Sequence, residues 1–120
     1  MMVVESLTRN ESNEGTKKNY IYRLTKNNIS ISLDNNSNKI MEVQTYGIEV
    51  ERQDILNDHI INIERDSVSS ISPHRHKVHN LLKLLYDNCV SPIHLIEILG
   101  EYIDEYIIDF NEDINEIATN

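Results

Sequence analysis

Alternating apolar and polar residues predict strands in the first half of the chain. Tyr20, Tyr22 and Leu24 fall on one face of an extended segment. Ile29 to Leu33 then alternates isoleucine or leucine with serine, which is the period of a half-buried strand. Lys26-Asn27-Asn28 separates the two segments and has the composition of a tight turn. The pattern therefore predicts a β-hairpin.

A longer strand is predicted from Ile40 to about Glu51. Its apolar residues change phase at Tyr46-Gly47. A glycine at such a slip favours a β-bulge, which returns the later apolar residues to the core face. The residues in phase before the slip are Met41, Val43 and Thr45, and those after it are Ile48 and Val50.

Two loops and a short strand complete the predicted sheet. The segments from Asp34 to Asn38 and from Arg52 to Asp58 are polar and predict loops. His59 to Glu64 predicts a fourth strand, with Ile61 and Ile63 facing the core. Strands that follow one another through short links favour an antiparallel sheet.

The hydrophobic period becomes helical after Ser67. Ser72-Pro73 and Ser91-Pro92 each predict a helix start, because serine is a favoured N-cap and proline fits the first helical position. We expect the first helix to end near Asn88, a residue type that tolerates the left-handed conformation. Its apolar stripe has the spacing of one buried helix face. The stripe consists of Val78, Leu81, Leu82 and Leu85.

A second helix is predicted after Pro92. Val90 and Leu95 occupy the two positions of a hydrophobic staple at its start. Gly100 costs about 1 kcal/mol relative to alanine in a helix interior, so we expect the other helix or the sheet to approach closely there. The apolar stripe consists of Leu95, Ile96, Leu99, Tyr102, Ile103 and Tyr106.

These elements predict an α+β fold of two layers, ββββαα. A four-stranded antiparallel sheet is followed by a C-terminal antiparallel helical hairpin packed on one face. Residues 1–18 are polar and show no sustained period, so we predict a flexible leader. A single α+β domain is expected over residues 19–108, and an acidic, partly disordered tail over 109–120.

The charge of the chain is concentrated at one end. No Lys or Arg follows Lys83, so the whole net charge of −9 arises in the last third. An acidic end disfavours nucleic acid and anionic membranes as partners. It suits a basic protein partner, and the alternative is that it only keeps the protein soluble. No stretch approaches the roughly 20 consecutive apolar residues of a membrane span.

The single cysteine, Cys89, excludes an internal disulfide and fits a reducing compartment, so we expect a cytoplasmic protein.

The start of the first helix is unusually basic. Cations in a first helical turn oppose the helix macrodipole, whereas free backbone N–H groups there attract anions. One interpretation is a contact site for a small anion or a partner, formed by His74, Arg75 and Lys77. The alternative is internal pairing, because an antiparallel hairpin places Arg75 near Asp104 and Glu105.

Metal binding and catalysis have weaker support in the sequence. His76 and His79 are spaced i, i+3 and so present two ligands to one metal ion, but no third ligand is interleaved with them. Cys89 and His94 lie within one turn of chain and lack a third group to orient the base. We therefore predict no catalytic residue and no cofactor, and expect Cys89 to act as a small apolar residue.

Several short motifs resemble a known family. They are Tyr46 to Val50, Ile71-Ser72-Pro73 with the later Val78 and Leu81-Leu82, and Val90 to Leu95 before an acidic helix. Over about residues 20–106 the chain is similar to short uncharacterised proteins of clostridial and related spore-forming Firmicutes. This resemblance implies a cytoplasmic bacterial protein with a domain of unknown function, and it supplies no activity, cofactor or catalytic residue.

Two functions follow as expectations. The first is a non-enzymatic module that binds another protein, in keeping with the acidic C-terminal third and the lack of a catalytic constellation; its contact surfaces would be the exposed face of the helical hairpin and one edge strand. The second is a sensor of a small anion or a divalent metal at the basic helix start. A homodimer that pairs apolar helix faces is a further expectation.

Overall fold

The computed structural model describes residues 1–32 and 39–119, except the side chains of 107, 108 and 110–119. The loop predicted at Asp34 to Asn38 lies outside these residues. A one-turn 3₁₀ helix, Pro92–His94, precedes the second α-helix. The other elements are β1 (Met2–Asn13), β2 (Thr16–Ser32), β3 (Ile40–Leu56), β4 (His59–Ser72), α1 (Arg75–Asp87) and α2 (Leu95–Thr119).

The four strands form an open antiparallel sheet in chain order, β1-β2-β3-β4. Two-residue turns, Glu14-Gly15 and Asn57-Asp58, join β1 to β2 and β3 to β4. All four turn residues have positive φ, between 47° and 84°. This conformation suits tight hairpins because its twist matches that of the flanking strands. With two helices after the sheet, the predicted α+β class is confirmed.

The predicted flexible leader is wrong, because residues 2–13 form the edge strand β1. Its pairing with β2 runs from Met2 opposite Lys26 to Asn13 opposite Thr16. Only Val4 and Leu7 contribute apolar side chains to the core rim, so the segment lacks the strong period of a buried strand. Hydrogen bonding to β2 keeps residues 2–13 extended, and a local sequence pattern does not reveal this pairing.

The predicted turn at Lys26-Asn27-Asn28 is also wrong. β2 is continuous through it, and Asn27 and Asn28 lie opposite Thr45 and Gln44 of β3. Asn27 Nδ2 also donates a hydrogen bond to the carbonyl oxygen of Ser69 at 2.9 Å. Cross-strand pairing thus overrides a local turn preference. The sheet has four strands as predicted, because two predicted strands merge and β1 supplies the fourth.

The irregularity predicted at Tyr46-Gly47 is present in the β3–β4 pairing. Tyr46 lies opposite Ser72 and Ile48 opposite Val68, so β4 advances four residues while β3 advances two. The extra residues therefore belong to β4. A Cβ atom on Gly47 would lie 2.5 Å from the carbonyl oxygen of Ser69 and closer still to that of Val68. Glycine is required here for the close approach of two backbones.

β4 is much longer than the predicted fourth strand and continues to Ser72. The predicted loop from Arg52 is strand up to Leu56, and residues 68–72 continue β4, so the helical period expected after Ser67 begins only with α1. Ser72 still belongs to the ladder, so α1 begins at Arg75 with His74 as its N-cap. Ladder pairing with β3 extends the strand past the Ser-rich segment, which has little strand propensity of its own.

The buried stripe of α1 is confirmed, since all four predicted residues are at most 3% exposed. The helix ends at Asp87, and the left-handed residue is Cys89 (φ 49°) instead of Asn88 (φ −99°). The Val90 N–H donates to the Leu85 carbonyl oxygen, and the Cys89 N–H to that of Tyr86. These two bonds form a Schellman motif, in which Cys89 occupies the position that glycine usually takes.

The second helical segment begins as predicted, with Ser91 as the N-cap of the 3₁₀ turn and Pro92 at its first position. Leu95 and Leu99 are buried, but Ile96 is exposed. No atom lies within 4 Å of a Cβ built on Gly100, so the close approach expected there is absent among the described residues. The backbone stays helical to Thr119, so the tail predicted as partly disordered from residue 109 continues α2.

Both helices pack on one face of the sheet. The Asn88–Ser91 link follows the end of α1, while Lys77 near the start of α1 contacts Asp109 in the middle of α2, so the two helices run antiparallel. The hydroxyl of Tyr22, at the centre of β2, donates a hydrogen bond to the Val90 carbonyl oxygen at 2.9 Å. The core consists of Tyr20, Tyr22, Leu24, Ile48, Val50, Ile71, Val78, Leu81, Leu82, Leu85, Val90, Leu95 and Leu99.

Candidate functional site

The basic start of α1 lies beside an open depression of about 610 Å³. The side chains of β1 and β3 reach this depression from the sheet, and the helix start forms its other wall. The rings of His74 and His76 lie 5.9 Å apart. The lining residues are Glu5, Tyr46, Pro73, His74, Arg75, His76 and His79.

Glu5 of β1 neutralises the wall of the depression. Its Oε1 accepts a hydrogen bond from Arg75 Nη2 at 3.0 Å, and its Oε2 lies 2.6 Å from His79 Nδ1. Burial alone would raise the pKa of Glu5, but the bonds from His79 and Arg75 outweigh it and lower the pKa. The carboxylate is therefore held in its charged form, and Arg75 pairs with it instead of with Asp104 or Glu105 as predicted.

Lys77 points to the middle of α2. Its Nζ donates to both carboxylate oxygens of Asp109 at 2.8 Å, and Ser72 Oγ donates to the same group at 3.2 Å. Burial tends to raise the pKa of Asp109, but Lys77 and Ser72 together lower it. Lys77 Nζ also lies 5.2 Å from the ring centroid of Tyr106. This cluster holds α2 against the end of β4.

Arg9 of β1 holds the opposite end of α1. Its Nη1 donates to the carbonyl oxygens of Tyr86 at 2.7 Å and Asp87 at 3.2 Å, which are terminal acceptors of the helix. A cation is favourable at this end of the macrodipole, as the Glu5 carboxylate is at the other. Glu5 and Arg9 are four positions apart, so they share one face of a strand. The sequence interpretation missed both, although opposite charges at this spacing are a visible signal.

The histidines do not form a metal centre in the described part of the chain. His79 is bound to Glu5, while His76 is exposed to solvent. No group of three or more His, Cys, Asp or Glu side chains suited to a metal ion occurs among the described residues. The i, i+3 spacing of His76 and His79 is therefore not completed by a third ligand there.

Cys89 lines an apolar cavity of about 430 Å³ at the turn between the helices. Burial raises the pKa of its thiol, and the nearby Glu11 carboxylate raises it further. A thiol with a raised pKa stays protonated near neutral pH and is a poor nucleophile. His94 lines the same cavity. The pair thus lacks the electropositive environment that activates a catalytic cysteine.

Among the side chains that the structure describes, the largest group of exposed isoleucines lies on β4. Ile60, Ile61 and Ile63 are 52%, 60% and 51% exposed, although Ile61 and Ile63 were predicted to face the core. Ile93, in the 3₁₀ turn, is 74% exposed. A depression of about 410 Å³ brings Ile63 to Asp66 together with Pro92 and Ile93. We call this depression, with its flanking strand, the β4 edge groove.

The architecture is that of an α+β protein with an open antiparallel sheet and two helices on one face. A family model described as a family of unknown function, DUF6514, matches residues 1–105, and the chain belongs to this family. No curated protein and no solved structure matches the chain. Among the described helices, none combines the length and the apolar character needed to cross a membrane.

Proposed function

We propose that this protein is a non-enzymatic module that binds another protein through the β4 edge groove. The observation that carries the proposal is the row of half-exposed isoleucines on an edge strand, beside the still more exposed Ile93. Burying one such side chain contributes about 1.5–3 kcal/mol, so leaving several in water forgoes a large stabilisation. Several exposed apolar side chains on one short segment are typical of a protein contact.

The polar clusters elsewhere support a binding role over a catalytic one. Glu5 pairs with Arg75 and His79, and Asp109 pairs with Lys77, all within the molecule. Such pairs hold α1 and α2 in place, so these carboxylates are occupied in structural contacts. The proposed module is thus a scaffold whose ion pairs fix the helices, while its edge strand faces outward.

A pull-down with a matched pair of variants tests the proposal. Ile63→Lys places a charge in the groove, whereas Ile40→Lys makes the same change at another exposed isoleucine, 70% exposed, near the opposite end of β3. Tagged wild type and Ile40→Lys should recover the same stoichiometric partner from native lysate, and Ile63→Lys should lose it. Equal recovery by all three, or no stoichiometric partner under several growth conditions, would count against the proposal.

A sensor of a small anion or a divalent metal at the basic helix start is the second proposal. The open depression beside His74 and His76 favours it, but Glu5 already neutralises Arg75 and His79. A thermal-shift series with phosphates and divalent metals separates the two functions. A shift that Glu5→Gln alters would favour the sensor, and no shift at any ligand would eliminate it.

A further inference from the structure

We infer that the occupant of the β4 edge groove is an extended, basic segment of another protein, which adds to the sheet as a fifth strand beside β4. The inference rests on the proposed function and specifies its partner. Three features carry it: the open edge of β4, the apolar walls of the groove, and the sign of the charge around it.

The outer edge of β4 is available for strand pairing. No strand of the described chain lies beyond it, since the sheet ends at β4. An edge strand presents backbone N–H and C=O groups in a row, and an extended peptide satisfies them by forming a new ladder. Natural proteins commonly protect such an edge with inward charges, proline or a very short strand. β4 is 14 residues long and contains no proline, and although it shifts register against β3 at two points, its pairing is regular from Asn62 to Val68.

The walls of the groove suit a strand with alternating apolar residues. Ile63 on β4 and Ile93 on the 3₁₀ turn border the same depression from two sides. Side chains of a strand alternate between its two faces, so every second residue of an added segment would point the same way. Apolar residues at those positions would cover the isoleucines that the chain leaves exposed.

The charge around the groove is acidic once internal pairs are removed. Arg65 donates to Glu51, which is 3% exposed, and Arg52 pairs with Glu64 and Asp54. These arginines are therefore neutralised within the sheet. Asp66 lines the groove, and α2, which packs against β4, carries Glu97, Glu101 and Asp104. No Lys or Arg of the described chain forms an ion pair with any of these four residues.

A basic segment fits this surface better than a second copy of the chain. Each copy carries a net charge of −9, and its own β4 would bring another Asp66 and another acidic α2 to the contact. Like charges brought together on association are unfavourable, whereas lysines or arginines on an added strand are attracted. Lysine or arginine interleaved with valine or isoleucine is thus the expected composition of the segment.

A set of synthetic peptides tests the inference on the full chain. The first, about ten residues long, alternates valine with lysine. The second replaces each lysine with glutamate, and the third is the lysine peptide with successive central backbone amides N-methylated, which removes hydrogen-bond donors along both edges but keeps the charge. Binding is measured by fluorescence anisotropy to wild type, Ile63→Lys, Ile93→Lys and Ile40→Lys.

The lysine peptide should bind wild type and Ile40→Lys equally. The glutamate and N-methylated peptides, and both groove variants, should each lower the affinity by about tenfold or more. Equal binding of the lysine and glutamate peptides, or no effect of N-methylation, would overturn the inference. So would light scattering that shows a dimer dissolved by Ile63→Lys, because the occupant would then be a second copy.

The outcomes separate the inference from the proposed function. If the peptides show no groove-dependent binding but Ile63→Lys still loses a stoichiometric partner from lysate, the protein-binding function stands and the basic strand is wrong. If both experiments fail, the β4 edge groove is not a docking surface and both proposals fall.

Discussion

The two edge strands of the sheet are protected to different degrees. β1 carries an irregularity between Val3 and Glu5, and its charged residues Glu5 and Arg9 hold the two ends of α1. β4 also shifts register against β3 at two points, but it leaves Ile61 and Ile63 exposed, and no strand of the described chain lies beyond it. Charged side chains that are already paired within the molecule discourage a strand from pairing with another chain, whereas exposed isoleucines favour it. One edge is therefore used to build the fold, and the other is left for contact.

The largest expected effect on stability comes from a substitution that disrupts the packing of β3 against β4. Gly47→Ala places a methyl group against the backbone carbonyls of Val68 and Ser69, which are held in the ladder and have little freedom to move. We expect a loss of about 3 kcal/mol in the free energy of unfolding, measured by urea denaturation. Gly100→Ala is the matched control, because open space surrounds that Cβ. It should stabilise the protein by up to about 1 kcal/mol. An equal loss in the free energy of unfolding for both variants would contradict the close backbone approach at Gly47.

A smaller loss of stability is expected when the ion pairs between β1 and the start of α1 are removed. Glu5→Gln removes the charge that pairs with Arg75 and His79, and since these partners are nearly half exposed the loss should be only about 1 kcal/mol. The lowered pKa of Glu5 gives the sign of the pH dependence. A carboxyl group with a depressed folded-state pKa stabilises the fold above its unfolded pKa, and that contribution is lost as the pH falls through the folded pKa.

The stability difference between wild type and Glu5→Gln should therefore be largest near neutral pH and shrink below about pH 4.5. Thermal melts across the acidic range measure it. Glu42→Gln, at an exposed glutamate of β3, should show no such dependence. A difference that grows as the pH falls would mean that Glu5 does not stabilise the fold as a charged group.

The smallest effect concerns the end of α1 that Arg9 holds. Cys89 has φ 49°, where a side chain is strained and glycine is not. Cys89→Gly should raise the free energy of unfolding by about 0.5–1 kcal/mol, partly offset by the lost packing of a half-buried thiol. Asn88→Gly should lower it slightly, because Asn88 has φ −99°. The opposite ranking of the two variants would place the left-handed residue at Asn88, as the sequence suggested.

Local patterns predicted the elements whose residues contact one another within a few turns. The stripe from Val78 to Leu85, the Ser91-Pro92 start and the irregularity at Gly47 are all visible in the sequence, because the 3.6-residue and 2-residue periods and glycine's small size act over short distances. The candidate site was predicted less well. Arg75 and Lys77 are paired inside the molecule, as one interpretation held, but Arg75 pairs with Glu5, about seventy residues earlier, and not with its neighbours on α2.

Tertiary structure alone decided how the sheet is assembled. Pairing with β2 makes residues 2–13 a strand. Pairing with β3 decides that β2 continues through Asn27 and decides which way Ile61 and Ile63 face. Backbone hydrogen bonds between strands carry almost no information about side-chain identity, so a short window of sequence does not reveal them. The sequence by itself determined the buried faces of the helices and the class of fold. The pairing of the strands in the order β1-β2-β3-β4 determined that β4 forms an open edge of the sheet.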